Sequence, residues 1–215
     1  MIKNVFFDLD GTLTDSKEGI IRCAQYALEK LGMEPPAFED MYWVMGPPFR
    51  TSLKERLHFS DEDSLRGLRY YQERFGTVGY LENRVYDGIE DMLKELKDDG
   101  YRLFITSSKP RYFSTEILKH FGLIDYFTYV SGSDMDGTHG AKAEVVKRAI
   151  EGYGCERDET VIVGDRDHDI IGGKDNGIHT IGVRYGYADP GELEGAGVEY
   201  IAEDPADVIR IIRSI

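Results

Sequence analysis

The run Val5-Phe6-Phe7 leads straight into Asp8-Leu9-Asp10-Gly11-Thr12. Residues 2–7 read as a buried strand, and side chains two apart on a strand project to the same side. Asp8 and Asp10 therefore leave the end of that strand as a pair, and Gly11 lets the backbone turn. Open α/β sheets carry their ligand sites beyond the carboxyl ends of their strands. This places Asp8 as a candidate nucleophile and Asp10 as a candidate acid/base.

The rest of the chain decides which sheet that strand joins. From Ser16 to about Tyr80 the pattern is helical. Ile20, Ala24, Ala27, Leu28 and Leu31 form one apolar stripe, closed by Gly32. Leu65, Leu68, Tyr71 and Phe75 form another, and Pro35-Pro36 and Pro47-Pro48 mark breaks around a short aromatic segment from Met41 to Met45. No strand is expected in that span. After Tyr80 strands and helices alternate. Strands are expected at 101–106, 127–130, 160–163 and 179–183, with helices around 89–96, 113–121, 141–151 and 168–176. A closing helix has Asp204 as N-cap and Pro205 at its first position. Such alternation specifies a parallel sheet covered on both faces. The expected fold class is α/β, with a Rossmann-like parallel core formed by residues 1–15 and 81–215. An all-helical cap, residues 16–80, is inserted after the first strand.

Charge narrows the partners. Lys and Arg total 26 against 40 Asp and Glu, a net charge of -14. That argues against nucleic acid, which demands a basic surface, and against docking on an anionic membrane. A small phosphorylated metabolite remains open through a local cationic pocket and a divalent metal. Cys23 and Cys155 form no CxxC and suggest neither a disulfide framework nor a zinc site. The short apolar run before Asp8 is not that of a signal peptide, and no run approaches the ~18 residues of a membrane helix. A cytoplasmic protein, a monomer or weak homodimer, is expected.

Four expected strand ends or helix starts carry polar residues of related kinds: Asp8 to Thr12, Thr106-Ser107-Ser108-Lys109-Pro110, Lys142, and Gly164-Asp165-Arg166-Asp167-His168-Asp169. Phosphoryl transfer explains the combination. A carboxylate nucleophile divides hydrolysis into two displacements through an aspartyl-phosphate. Approach of an anion to a phosphate dianion is opposed electrostatically, so a metal that bridges carboxylate and phosphate is required, and Mg²⁺ suits that role. Asp165 and Asp169 can supply the acidic bed. The charge on the transferring group needs fixed donors and a cation, for which the Ser107 hydroxyl, backbone near Ser108, and Lys142 are the candidates. Gly11 completes the expected phosphate-binding set, and Arg50 is a candidate for reading the substrate.

In this order the motifs resemble the haloacid-dehalogenase-like phosphohydrolase superfamily, in its phosphoglycolate-phosphatase-like branch with a small helical cap. The carrying residues are Asp8-x-Asp10-Gly11-Thr12-Leu13-x-Asp15-Ser16, Ser107-Ser108-Lys109-Pro110, Lys142 and Gly164-Asp165-x-x-x-Asp169. The resemblance implies that Asp8 is phosphorylated and that Asp10 is the general acid/base. It implies Mg²⁺ held by the Asp8 carboxylate, the Asp10 backbone carbonyl and Asp165, with Asp169 in or beside that shell. Ser107 would hold a phosphoryl oxygen, Lys142 would neutralise charge, and the cap would choose the organic part of the substrate. The family's Thr/Ser position is doubled here; counting back from Lys109-Pro110 selects Ser107, with Thr106 as the alternative. The implied activity is hydrolysis of small-metabolite phosphomonoesters, phosphoglycolate-like acids or nucleoside monophosphates. A sugar phosphomutase of the same architecture is the alternative, and a non-catalytic phosphate-sensing protein a remoter one.

Three look-alike features compete. A second DxDGT, Asp134 to Thr138, is expected to lie in a loop, separated from its strand by Ser131-Gly132-Ser133. Gly172-Gly173-Lys174 lacks the first glycine and the Ser/Thr of a phosphate loop. Lys109 is a rival phosphate partner to Lys142.

Overall fold

The computed structural model describes residues 1–45 and 48–215. Strand β1 (Asn4–Phe7) is buried at every position. Phe6 packs with Phe104, Val146, Ala149, Ile150 and Ile162 in one apolar cluster. Burial of a side chain of this size contributes about 1.5–3 kcal/mol. Buried Asn4 is satisfied by Thr160 Oγ1 at 3.1 Å and by the Arg102 Nε donor at 2.8 Å.

β1 lies inside a six-stranded sheet of order β5-β4-β1-β6-β7-β8. Its members are β4 (Arg102–Pro110), β5 (Phe127–Ser133), β6 (Thr160–Gly164), β7 (His179–Val183) and β8 (Tyr200–Ala202). Every neighbouring pair is parallel, with Phe7 opposite Ile105 on one side and Val163 on the other. The crossovers are helical: α4 (Ile89–Asp98) precedes β4, α5 (Arg111–His120) joins β4 to β5, and α6 (Lys142–Tyr153) leads from β5 to β6. Beyond them α7 (Asp167–Asp175) joins β6 to β7, the short α8 (Glu192–Gly195) precedes β8, and α9 (Pro205–Ser214) closes the chain. The chain builds outward from β1 through β4 to β5, then returns across β1 to begin β6. That reversal opens the crevice at the carboxyl ends of β1 and β6, where ligands of such sheets bind.

Asp204 caps α9 as expected, accepting from the Asp207 N–H at 2.8 Å. Strand boundaries differ from expectation: β4, expected to end at Thr106, runs on to Pro110. β5 continues through Ser131-Gly132-Ser133, held by pairing of Ser131 with Thr106 and Ser133 with Pro110. Local propensity there is poor, and the neighbouring strand overrides it. β8 was not anticipated, because three residues carry too little pattern to register. A separate two-stranded sheet pairs β2 (Thr14–Asp15) with β3 (Arg84–Val85).

The chain divides into two compact units, residues 1–15 with 85–215, and residues 16–84. The second is helical: α1 (Lys17–Lys30), a 3₁₀ segment (Phe38–Val44), α2 (Phe49–Leu57), α3 (Asp61–Arg74) and a π turn (Phe75–Gly79). It runs four residues past the expected boundary because Glu82 belongs to it. Glu82 pairs with Arg74 at 2.6 Å, and its carbonyl accepts the Gly19 N–H at 3.0 Å. The expected α3 stripe is out of phase at Leu65, which is exposed, while Ser64 and Gly67 are buried. Gly67 is placed inward by close packing, since a Cβ there would lie 2.6 Å from Leu53 Cδ1. Of the break expected at Pro47-Pro48, Pro47 lies outside the described residues. Among the described residues no helix is long and apolar enough to cross a membrane.

Candidate active site

The Asp8 N–H still belongs to the sheet, donating to the Val163 carbonyl at 3.0 Å. The chain then folds back on itself. Leu13 and Thr14 both donate to the Leu9 carbonyl, at 2.9 and 3.0 Å, and Gly11 donates to the Thr14 carbonyl at 2.8 Å. Gly11 has φ +86, where a side chain is strained. A Cβ there would also lie 2.2 Å from Asp165 Oδ2.

Three carboxylates converge at this turn. Asp8, Asp165 and Asp169 are all buried, and each offers an oxygen within 4.8 Å of the others. Lys142, the first residue of α6, sends its buried ammonium among them. Its Nζ lies 2.7 Å from Asp8 Oδ1, 2.7 Å from Asp169 Oδ1 and 2.7 Å from the Thr106 carbonyl. Asp8 Oδ2 has no protein donor among the described residues. Asp169 Oδ2 accepts the Asp165 and Arg166 N–H groups, both at 3.1 Å, so it caps α7 while facing the cluster. Asp165 is held by Thr12 Oγ1 on Oδ1 at 3.0 Å and by the Tyr187 N–H on Oδ2 at 2.8 Å.

Three buried carboxylates against one ammonium leave an excess of negative charge, and the ionisation equilibria register it. Burial pushes the Asp8 carboxyl above its ordinary value despite the pull of Lys142. Burial, reinforced by the charges of Asp169 and Asp8, pushes Asp165 up to about 8. Asp169 is held below the usual carboxylate range: burial opposes this, but the Lys142 ammonium prevails. Lys142 itself is raised by Asp169 and Asp8 against the cost of its own burial. Such an all-oxygen, electron-rich pocket fits a hard divalent cation, which would supply the missing positive charge.

The other expected residues divide. Ser107 is buried within β4, its Oγ accepting the Lys109 N–H at 3.3 Å. Thr106 Oγ1 is buried without a partner, and Ser108 is half-buried. Lys109 does not join the carboxylate cluster. Its Nζ lies 2.5 Å from Asp10 Oδ2, and Asp10 Oδ1 is buried without a partner. Arg50 belongs to the helical unit, where it pairs with Asp61 at 3.2 Å. The second DxDGT directly follows β5, contrary to the expected separation. Its Asp134 and Asp136 are nonetheless exposed and serve a turn, both accepting from Thr138 Oγ1. His168 sits beside the cluster, its Nε2 3.9 Å from Asp169 Oδ1. Gly172 and Gly173 are buried inside α7.

Three residues at the site escaped the sequence reading of roles: Thr12, Gly186 and Tyr187. Thr12 stood inside the quoted motif with no task assigned. Gly186-Tyr187 follows β7, and a Gly just past a strand that neighbours the Asp165 strand was the available signal.

A family model described as haloacid dehalogenase-like hydrolase matches residues 5–183. The chain is 36% identical over 211 residues to a 5'-nucleotidase of Pseudomonas aeruginosa, covering 98% of this chain and 96% of that one. It is 34% identical over 183 residues to the tyrosine-protein kinase PtkA of Mycobacterium tuberculosis, covering 85% of this chain and 62% of that one. Among solved structures, a predicted phosphatase from Clostridium acetobutylicum superposes with a TM-score of 0.96 at 39% identity, covering 100% of both chains.

Proposed function

Since the chain belongs to the haloacid dehalogenase-like hydrolase family, and is a phosphatase of the group with a small helical cap that includes 5'-nucleotidases and phosphoglycolate phosphatases, we propose a specific reaction for it. It hydrolyses phosphomonoesters of small metabolites, in the presence of Mg²⁺, through a phosphorylated Asp8. The carrying observation is that Asp8 stands at the tip of an inner strand, in a buried cluster with Asp165 and Asp169, with Oδ1 fixed by Lys142 at 2.7 Å. Oδ2 is the nucleophilic atom.

Asp8, Asp165 and the Asp10 backbone carbonyl would hold the Mg²⁺, with Asp169 beside them. The bound ion supplies positive charge that lets an anionic carboxylate meet an anionic phosphoryl group. Asp8 Oδ2 forms a bond to phosphorus as the ester P–O bond breaks. Asp10, in its acid form, gives its proton to the departing alkoxide oxygen. Asp10, now a carboxylate, takes a proton from water, whose oxygen attacks phosphorus. The bond from Asp8 to phosphorus breaks, and inorganic phosphate leaves with Asp8 regenerated. Lys142 keeps Asp8 oriented throughout and offsets charge on the transferring group. Ser107 Oγ and backbone around Ser108 donate to phosphoryl oxygens. Gly11 gives the close approach this needs.

Nucleoside monophosphates are the first substrate class, supported by the name of the full-length relative at 36% identity, and phosphoglycolate-like acids are the second. The name of the mycobacterial relative supports a second reading, transfer from Asp8 to a protein tyrosine in place of water. A metabolite panel assayed with Mg²⁺ in the absence and presence of a tyrosine peptide, for inorganic phosphate and for phosphopeptide, separates the two. Phosphate release lost in Asp8→Asn and Asp10→Asn supports hydrolysis. Failure to hydrolyse any phosphoester would reject it.

A further inference from the structure

We infer that the turn Tyr185-Gly186-Tyr187, together with Thr12, positions the Asp165 carboxylate as the ligand of a divalent cation. This rests on the metal-assisted reading above and assigns tasks to residues that reading leaves idle. β7 runs parallel to β6 and beside it, so the chain leaving β7 emerges next to the residue that follows β6. That residue is Asp165.

Gly186 passes so close that a Cβ would lie 2.2 Å from Asp165 Cβ and 2.5 Å from the Gly11 carbonyl oxygen. Two backbone turns thus enclose one carboxylate with no room for a side chain. The Tyr187 N–H donates to Oδ2 at 2.8 Å and Thr12 Oγ1 donates to Oδ1 at 3.0 Å. With one donor on each oxygen the carboxylate plane cannot rotate, and each oxygen keeps a second lone pair for a cation. The turn is itself pinned. Tyr187 O–H donates to Asp15 Oδ1 at 2.9 Å, and the Tyr185 ring meets Tyr86 edge-on with centroids 5.3 Å apart.

The donor types matter as much as the geometry. Asp8 and Asp169 share the Lys142 ammonium, whereas Asp165 meets only a hydroxyl and a backbone amide. The neighbouring Arg166 guanidinium feels its charge and is paired with Glu192 at 2.7 Å. Asp165 is oriented without being neutralised, which is what a metal ligand requires of its surroundings.

The test is direct binding to the metal-stripped, full-length protein: Mg²⁺ by calorimetry and Mn²⁺ by electron paramagnetic resonance. Thr12→Val, which keeps shape and loses the donor, should weaken the cation by about 10–100-fold, the usual effect of removing such a partner. Thr12→Ser, which keeps the hydroxyl, should bind as wild type. Tyr187→Phe, which unpins the turn, should also weaken binding, with substrate KM at saturating metal unchanged. Tyr187→Phe keeps the inference falsifiable if Thr12→Val does not fold. Wild-type affinity in folded Thr12→Val and Tyr187→Phe would overturn the inference alone. Equal losses in Thr12→Val and Thr12→Ser would trace the effect to packing and overturn it too. A wild-type protein that binds neither cation would overturn the metal reading beneath it.

Discussion

Replacing Lys142 by Met should destabilise the metal-free protein by an amount the structure lets one work out. The methionine side chain fills the volume of the lysine stem, so a cavity is not the issue. What disappears is an ammonium 2.7 Å from Asp8 Oδ1, 2.7 Å from Asp169 Oδ1 and 2.7 Å from the Thr106 carbonyl. Two buried carboxylates and a buried carbonyl are stranded. Removing one partner of a buried ion pair costs about 3–5 kcal/mol, because the charge left behind stays buried. In a domain of this size each kcal/mol moves Tm by about 2–4 °C, so the expected fall is about 6–20 °C. Calorimetry with a chelator present is the assay, since a bound cation would take over the role of the ammonium. The double variant Asp8→Asn/Lys142→Met supplies the internal control. With one stranded carboxylate removed it should be more stable than Lys142→Met alone. A Lys142→Met protein within about 1 kcal/mol of wild type, the range of an exposed pair, would refute the reasoning.

Other outcomes follow from the same cluster. Chelation should abolish phosphate release and added Mg²⁺ should restore it, read by a phosphate assay. Gly11→Ala should cost about 1–3 kcal/mol in urea unfolding from strain at φ +86, and should also lose divalent-cation binding because its Cβ meets Asp165 Oδ2. Lys109→Met removes the partner that orients Asp10 and should lower kcat about tenfold or more with little change in KM, the signature of a group acting in the transition state.

What could be read from sequence, and what could not, follows the range of the interactions. β1 and its two aspartates were legible because a buried strand and a strand-end turn are local patterns. Lys142 was legible only as a member of a series; its three contacts join residues up to 134 positions apart. The pairing of Lys109 with Asp10 was missed for the same reason, because a lysine in a strand-end motif has no local sign of its partner. Thr12 and Tyr187 lay in plain view, but their work is done on Asp165, and only the adjacency of β6 and β7 brings them there. The second DxDGT shows the converse. It follows a strand as the first does, against expectation, yet β5 lies at the sheet edge and its acids face water. Position in the sheet separates the two identical motifs. The phase error at Leu65 has a packing origin, since Gly67 faces inward where a larger apolar residue would not fit.

Whether Asp8 carries the phosphoryl group is decided by trapping the phosphorylated enzyme. The protein is mixed with a phosphorus-labelled nucleoside monophosphate and Mg²⁺, quenched in acid, and digested for mass spectrometry. Hydroxylamine-sensitive label is expected on the peptide containing Asp8 and is expected to be absent from Asp8→Asn, which releases no phosphate. Label on another residue, or an Asp8→Asn protein that still hydrolyses the substrate, would contradict phosphorylation of Asp8.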